Sequence, residues 1–451
     1  MTASNQKPSV SVHTLGCKLN YAESSSIARQ FADRGFLLVP FGDETDVLLL
    51  NTCSVTENAE KECRQLIRRV LRRSPGAFVI VTGCYAQLRP EEIAGIDGVD
   101  WVLGAKEKFE IFNHIESLDK SYGPRILASE IADVTEFHSA ITSERDERTR
   151  AFLKVQDGCD YSCSFCTIPK ARGASRSAEI GDVVERAVRL CEEGFHEIVL
   201  SGVNVGDFGQ KTDGTFLGLI QAINEESKIT ARIRISSIEP NLLTDEIIEL
   251  VASSDKFCPH FHIPLQSGSA RILRLMQRRY QPDLYRARIE KIKSLMPNAG
   301  IGADVIVGFP GEREEDFQAT YEFVGSLELS YLHVFTYSER PGTKAAMMDG
   351  SIPISIRKDR NRMLRILSEK KKRAFLELQR GREANVLLER GTGQAMEGYT
   401  ENYMRVRLKS PVTENAELVR VCLETITGDI MIGEPLEVLA ERRNPMLLPI
   451  L

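Results

Sequence analysis

The chain has 451 residues, more than one hydrophobic core of roughly 250–300 residues accommodates, so two or three domains are expected. Hydrophobic residues at 42% and charged residues at 27% give the balance of a soluble globular protein and exclude wholesale disorder. The net charge of −6 argues mildly against a nucleic-acid partner.

The first hundred residues alternate strand and helix. The β-branched runs 9–16, 46–52, 78–83 and 101–105 have buried-strand length, with helical stretches at about 20–35 and 57–74. The expectation is an N-terminal doubly wound α/β domain with a parallel sheet over 9–130. The charged stretch 142–150 has no hydrophobic period and reads as a linker. Alternation then restarts, with strands at 152–156, 197–202, 232–238, 260–265, 303–310 and 331–338. The clearest helices between them are 178–193, 244–253, 282–296 and 313–326. Six βα units over 145–378 imply an open (βα)6 partial TIM-type barrel with its active site at the strands' carboxyl ends. Beyond this point, 379–442 holds short alternating runs separated by Gly, Pro and Asn, the pattern of a small β-barrel. The whole is an α/β multidomain protein. No apolar run reaches the roughly 18 residues of a membrane helix, and MTASNQKPSV lacks a signal core. A cytoplasmic location without a membrane partner is therefore expected.

In a reducing compartment the ten cysteines are candidates for metal ligation, catalysis or core filling. The sharpest signal is Cys159-x3-Cys163-x2-Cys166, immediately after the first strand of the barrel. Three thiolates within eight residues can hold one corner of a cube of iron and sulfide, leaving one iron open. Zinc would want a fourth Cys or His, which the loop does not offer. A second triplet is scattered in sequence: Cys17, Cys53 and Cys84 each follow a strand of the N-terminal sheet. In a parallel sheet those three turns open on one edge, so the cysteines converge. A second cluster is the favoured reading. Cys63 shares a helix face with Leu66, Ile67 and Val70, and Cys191 shares one with Val184, Ala187 and Val188. These two, with Cys258 and Cys422, read as core or incidental. His260, His262 and His333 lie in strand patterns and read as satisfied barrel-core residues.

The Cys159/Cys163/Cys166 spacing at the end of a first barrel strand resembles the radical S-adenosylmethionine (SAM) superfamily. The resemblance implies a 4Fe–4S cluster whose open iron is chelated by SAM, which is cleaved reductively to a 5′-deoxyadenosyl radical. Phe165 then matches the aromatic position near the SAM adenine. Ser201, Gly202 and Asn204, with Glu239 and Gln266, match its later SAM contacts, against a plain strand-end or turn role for the same residues.

The motifs TLGCKLNYAES (14–24), LNTCSVTENAE (50–60), TGCYAQ (82–87) and HIPLQSGS (262–269), taken with the three-part organisation, resemble the radical SAM methylthiotransferase family over nearly the whole chain. The C-terminal portion resembles a TRAM domain, an RNA-binding β-barrel. GCKLN and GYTENY (398–403) look most like the MtaB subgroup. The resemblance implies two 4Fe–4S clusters and two SAM molecules. It further implies methylthiolation of carbon 2 of threonylcarbamoyladenosine at tRNA position 37. The partners implied are the tRNA anticodon stem-loop and a reductant such as flavodoxin or ferredoxin, with the sulfur donor unknown. The alternatives are isopentenyladenosine in tRNA, a ribosomal-protein aspartate, or an iron–sulfur or zinc RNA-binding protein without turnover.

Charge distribution revises the first impression. Segment 357–382 carries eleven Lys/Arg against three Asp/Glu, a local +8 that leaves the remainder at −14. Lys370, Lys371, Lys372 and Arg373 within it, and Arg405, Arg407 and Lys409 on a strand of the small barrel, are the candidate phosphate contacts. Tyr399 and Tyr403 nearby suit base stacking. A second basic helix, 61–73, carries Lys61, Arg64, Arg68, Arg69, Arg72 and Arg73 against Glu62, and a solvated helix face explains it equally well.

Overall fold

In the computed structural model, which describes residues 7–53, 57–114, 118, 120, 123–142, 149–389 and 396–442, six parallel strands form the N-terminal sheet. Their spatial order is 37–38, 9–14, 47–52, 78–83, 101–103 and 125–127. Val47–Thr52 and Phe78–Gly83 are buried along their whole length, which is why they read as continuous apolar runs. Leu48, Leu50, Val79 and Val81 face a core closed by Cys63, Leu66 and Ile67 of helix Glu57–Arg73. Val47, Leu49, Phe78 and Ile80 face a second core, closed by Ile27 and Phe31 of helix Lys18–Asp33. Two cores on two faces are the doubly wound arrangement expected. The edge strands 37–38 and 125–127 were not expected; two or three residues are too few to display a period.

The second unit has six strands, 150–154, 197–201, 232–235, 260–262, 300–307 and 331–336, in sequential spatial order. They form two parallel three-stranded halves, joined by bridges between Ile233 and Phe257 and between Ser237 and His262. Among the described residues the first and last strands do not pair, so the barrel is open. Ala151, Leu153, Ile198, Leu200, Ile233, Phe261, Ile301 and Ala303 pack outward against the helices. The alternate positions, including Glu197, Arg234, His262, Asp304 and His333, line the interior. Helix Lys18–Asp33 packs against strand Arg150–Lys154 at the open side.

The charged stretch 142–150 differs from the linker expected. Its residues 143–148 lie outside the described residues, but its ends fold back on each other. The Thr142 N–H donates to the Phe152 carbonyl at 3.1 Å and the Lys154 N–H to that of Ala140 at 3.0 Å. Arg150 already belongs to the first barrel strand.

Helix Ile354–Gln379 joins the two barrels, burying Leu364 in the large core and Phe375 and Leu376 in the small one. The small barrel is closed by five strands, 383–389, 397–399, 405–408, 416–427 and 430–441. No helix among the described residues is long and apolar enough to cross a membrane.

The turn at 399–403 forms a plug at the amino-terminal end of the large barrel. Arg232 donates to the carbonyls of Asn385 and Tyr399, both at 2.9 Å, and Arg234 to that of Glu401 at 2.8 Å. Tyr399 and Tyr403 stack at 4.8 Å with Arg150 over both rings, and Tyr403 meets His260 at 4.7 Å. This corrects the base-stacking expectation. The two tyrosines are consumed by the arginines of the barrel floor.

Candidate iron–sulfur and substrate chamber

The three N-terminal cysteines stand at the carboxyl ends of adjacent strands, because Thr14 pairs with Asn51 and Thr52 with Gly83 in register. The motif residues around them stitch these ends together. Asn20 Nδ2 donates to the carbonyls of Leu15 at 2.9 Å and Thr52 at 3.0 Å. Asn51 Nδ2 returns to the Asn20 carbonyl at 3.0 Å, and Thr52 Oγ1 donates to the Thr82 carbonyl at 2.5 Å. Gly16 has φ +106°, and a Cβ there would lie 2.6 Å from Cys53 Cβ; Gly83 has φ +100°, and a Cβ would lie 2.2 Å from the Thr52 carbonyl oxygen. Both glycines permit a backbone approach that no other residue allows. Cys17 is exposed, while Cys53 and Cys84 are buried. The Cys84 thiol is pushed up by burial and by the nearby Cys17, and drawn down by Arg172.

The barrel triplet lies within reach. Helix Cys84–Leu88 packs on helix Ile168–Arg172, which starts two residues after Cys166. Cys159 Sγ accepts from the Tyr161 N–H and Cys166 Sγ from the Ile168 N–H, both at 3.4 Å. Arg278 Nη1 lies 3.2 Å from Cys163 Sγ, and its other arm is paired with Glu239. Burial and mutual repulsion push the Cys159 thiol up to about 12 and Cys166 to about 11, and Cys163 rises as well despite Arg278. Three desolvated thiols this close do not all ionise unless a cation compensates them, which is what a metal cluster provides. Amide N–H groups aimed at two sulfurs complete a donor set that fits iron and sulfide.

The residues expected to meet SAM take distinct places. Phe165 is half-buried and packs edge-on against Phe309 at 6.5 Å. Ser201 is buried and bonds the Val199 carbonyl at 3.1 Å, so its hydroxyl is spent on its own strand. Gly202 follows it, where a Cβ would lie 2.8 Å from Gln156 Oε1. The Asn204 N–H donates to that same oxygen at 3.0 Å, and Asn204 Oδ1 accepts from the Glu239 N–H at 3.3 Å. Gln266 has φ +61°, a strained conformation for a non-glycine residue. Asn204 Nδ2 and Asp207 Oδ2 are buried without a hydrogen-bond partner. Burial at such a cost suits a polar ligand in the same space, as SAM would be.

Between the triplets runs a charge network whose role the residue patterns did not reveal. Glu23, fully buried, receives Lys108 at 2.6 Å, Lys154 at 3.0 Å and Arg172 at 2.9 Å. Asp157 receives Lys154 at 2.6 Å, Arg172 at 2.9 Å and Arg176 at 3.2 Å. Arg172 also donates to Asn20 at 2.6 Å. The cations hold both carboxyls well below the usual carboxylate range against a strong burial cost. Two carboxylates face four cations, an excess of positive charge suited to neighbouring thiolate-ligated clusters. Glu23 stands inside the TLGCKLNYAES motif, but its partners come from 85 to 149 residues away. Only the assembled fold shows them. Arg278 was also missed, because an arginine in QRRY carries no local signal.

The histidines correct the expectation of a uniformly satisfied core. His262 bonds Ser237 at 2.7 Å and Asp304 at 3.0 Å. His260 bonds Tyr331 at 3.0 Å but leaves Nδ1 buried without a partner, and His333 is exposed on the inside of the open barrel. Ligand atoms of His262, Asp304 and His333 lie within 4.8 Å of one another.

The basic segment also divides. Arg357 is buried on the carbonyls of Tyr337 and Ile352, and Arg360 on Glu312 and Glu314. Lys371 caps the helix Glu314–Ser326 through the carbonyls of Gly325 and Leu327. Lys370 is exposed without an ion pair among the described residues, Lys372 meets Asp429 at 2.7 Å, and Arg373 meets Glu377 at 2.6 Å. Arg405 and Arg407 share Glu397 at 2.6 Å each, and Lys409 meets Glu424 at 2.8 Å.

Residues 9–104 match a family described as uncharacterized protein family UPF0004, and residues 153–324 match the radical SAM superfamily. The chain is 38% identical over 418 residues to the threonylcarbamoyladenosine tRNA methylthiotransferase MtaB of Bacillus subtilis, covering 91% of this chain and 93% of that protein. It is 38% identical over 414 residues to MtaB of Aquifex aeolicus, covering 92% and 100%. The tRNA-2-methylthio-N(6)-dimethylallyladenosine synthase of Akkermansia muciniphila is 30% identical over 457 residues, covering 95% and 99%. Among solved structures, the radical SAM methyltransferase TsrM from Kitasatospora setae superposes with a TM-score of 0.56 at 14% identity, covering 76% and 77%, a likeness of fold alone. On these grounds the chain, an iron–sulfur and SAM enzyme, belongs to the radical SAM methylthiotransferase family.

Proposed function

We propose that this enzyme installs a methylthio group on carbon 2 of threonylcarbamoyladenosine at position 37 of tRNA. The observation that carries the reading is the juxtaposition of two cysteine triplets at one chamber, in a chain 38% identical to two MtaB proteins. Cys159, Cys163 and Cys166 would hold one 4Fe–4S cluster and Cys17, Cys53 and Cys84 another. When bound, these clusters and two SAM molecules supply the hydrogen-abstracting radical, the sulfur and the methyl group. The chain's own contribution is position and charge. Asn20, Asn51 and Thr52 fix the strand ends that carry the first triplet. Arg278 orients Cys163 against Glu239. Phe165, Gly202, Asn204 and Gln266 shape the SAM side, and the Glu23–Arg172 network keeps the two triplets in register while excluding water.

The small barrel, read as a TRAM domain, would hold the anticodon stem-loop beside the helix Ile354–Gln379. Lys370, Lys372, Arg373, Arg405, Arg407 and Lys409 are the candidate phosphate contacts. Exposed ion pairs such as theirs contribute about 0–1 kcal/mol, so phosphates exchange readily for the present carboxylates. Lys371, tied to two carbonyls, serves the fold first. A cytoplasmic location and a reductant of the flavodoxin or ferredoxin type go with this reading.

The test is anaerobic reconstitution followed by reaction with tRNA bearing threonylcarbamoyladenosine, SAM and a reductant, with nucleosides read by mass spectrometry. About eight irons and a methylthio product are expected, as two 4Fe–4S clusters require. Cys163→Ala should stop SAM cleavage; Cys17→Ala should spare it and stop methylthiolation. Full product from Cys17→Ala would exclude the second cluster.

A further inference from the structure

Three adjacent strands of the large barrel place two polar layers on its inner face. The lower layer is His260, Gly302 and Tyr331; the upper, two residues farther along each strand, is His262, Asp304 and His333. The lower layer is closed. His260 Nε2 and the Tyr331 hydroxyl lie 3.0 Å apart, Tyr403 of the plug packs on His260 at 4.7 Å, and a Cβ on Gly302 would lie 2.3 Å from the Tyr331 ring. The upper layer faces the open chamber. It adjoins Gln266, whose N–H donates to the Asp304 carbonyl at 2.7 Å.

The upper layer has the chemistry of a ligand set. The His262 and Asp304 side chains are only 17% and 21% exposed, yet Asp304 meets no lysine or arginine among the described residues. A carboxylate this enclosed is ordinarily paired with a cation or coordinated to a metal. Behind the His262 ring, the Ser237 hydroxyl holds Nδ1 at 2.7 Å, which leaves Nε2 turned toward Asp304 Oδ1 at 3.0 Å. A Ser237–His262–Asp304 chain could serve the fold alone, but it would leave His333 idle. His333 is exposed, makes no hydrogen bond or ion pair among the described residues, and sets its ring 5.6 Å from that of His262. One ligand atom from each of His262, Asp304 and His333 lies within 4.8 Å of the other two. Ligands of one ion at about 2.1 Å stand roughly 3–3.5 Å apart, a contraction that the exposed His333 ring can supply.

We propose that His262, Asp304 and His333 form a site for one divalent first-row metal ion, sharing no residue with either cysteine triplet. Two imidazoles and one carboxylate suit Fe(II) or Mn(II), and three protein ligands leave coordination positions open toward the chamber. The ion takes the place of the proton between Nε2 and Asp304. His262 then carries its proton on Nδ1 and donates it to Ser237 Oγ, the kind of outer partner that metal-bound histidines ordinarily have.

Mn(II) is the probe, because it accepts oxygen and nitrogen ligands and does not compete for thiolates. It is titrated into the anaerobically reconstituted full-length enzyme, with the clusters oxidised and silent in electron paramagnetic resonance. Loss of the free-ion signal gives stoichiometry and affinity, and iron content and Tm are recorded for every variant. Wild type should bind one Mn(II) per chain, with pulsed spectra showing two imidazole nitrogens. Losing even an outer-shell partner of a metal costs about tenfold to hundredfold, so His333→Ala should weaken binding by more than about tenfold and leave one imidazole nitrogen. Because that ring is exposed and unbonded, iron content and Tm should stay at wild-type values. Asp304→Asn should weaken binding similarly; if it folds poorly, His333→Ala still decides. No stoichiometric binding to wild type at millimolar Mn(II), or binding to His333→Ala at wild-type affinity with both nitrogen couplings kept, would overturn the site.

Discussion

Glu23→Gln is the most informative perturbation of the network between the triplets. The amide keeps the shape and one acceptor, but Lys108, Lys154 and Arg172 lose their shared countercharge in a space closed to water. Removing one partner of a buried ion pair costs about 3–5 kcal/mol, since the survivors stay buried and uncompensated. Three cations remain here, partly relieved by Asp157 for Lys154 and Arg172, so about 3 kcal/mol is expected. In a unit of this size each kcal/mol shifts Tm by about 2–4 °C, giving a fall of roughly 6–12 °C. Calorimetry of the anaerobically reconstituted protein measures it. Because the cations hold the Glu23 carboxyl below the usual range, its contribution is fully present at neutral pH. It is lost only as pH falls below the ordinary carboxylate range, so the wild-type minus Glu23→Gln difference should be flat between pH 6 and 8. Arg172→Met combined with Glu23→Gln should cost less than the two single changes added together. A Tm within 2 °C of wild type, or strict additivity, would refute the network as the clamp between the two units.

Asn20→Ala orphans the carbonyls of Leu15 and Thr52 beside Cys17 and Cys53, and should lower bound iron from about eight toward four while SAM cleavage persists. Iron and sulfide analysis with a 5′-deoxyadenosine assay checks it. Gly300→Ala places a methyl 2.0 Å from the Asn402 carbonyl oxygen and should dislodge the 399–403 plug, read as faster proteolysis between the two barrels. Buried His260 is held neutral, first by desolvation and then by Arg234. A depressed histidine makes folding lose stability as pH drops below about 6.5, by up to about 1.4 kcal/mol per unit. His260→Gln should therefore flatten the decline in Tm between pH 7 and 5.5.

The sequence alone determined much of the framework. Continuous apolar runs such as 47–50 and 78–81 announced buried parallel strands, because a strand covered on both faces has no polar side to alternate. The two triplets were legible for different reasons. Cys159, Cys163 and Cys166 are close in sequence, whereas Cys17, Cys53 and Cys84 share a topological position, the end of a parallel strand. Glu23, Lys108, Lys154 and Arg172 were not legible in this way, since a buried charge has no local pattern and its partners are set by how two sheets meet. For the same reason Tyr399 and Tyr403 looked like an RNA platform until the arginines of the barrel floor claimed them. Asn20 shows the division within one motif. Its place three residues after Cys17 is written in the sequence, but that its side chain bonds the carbonyls of Leu15 and Thr52 and accepts from Arg172 is a fact of tertiary structure, because partners are set in space and not by order along the chain.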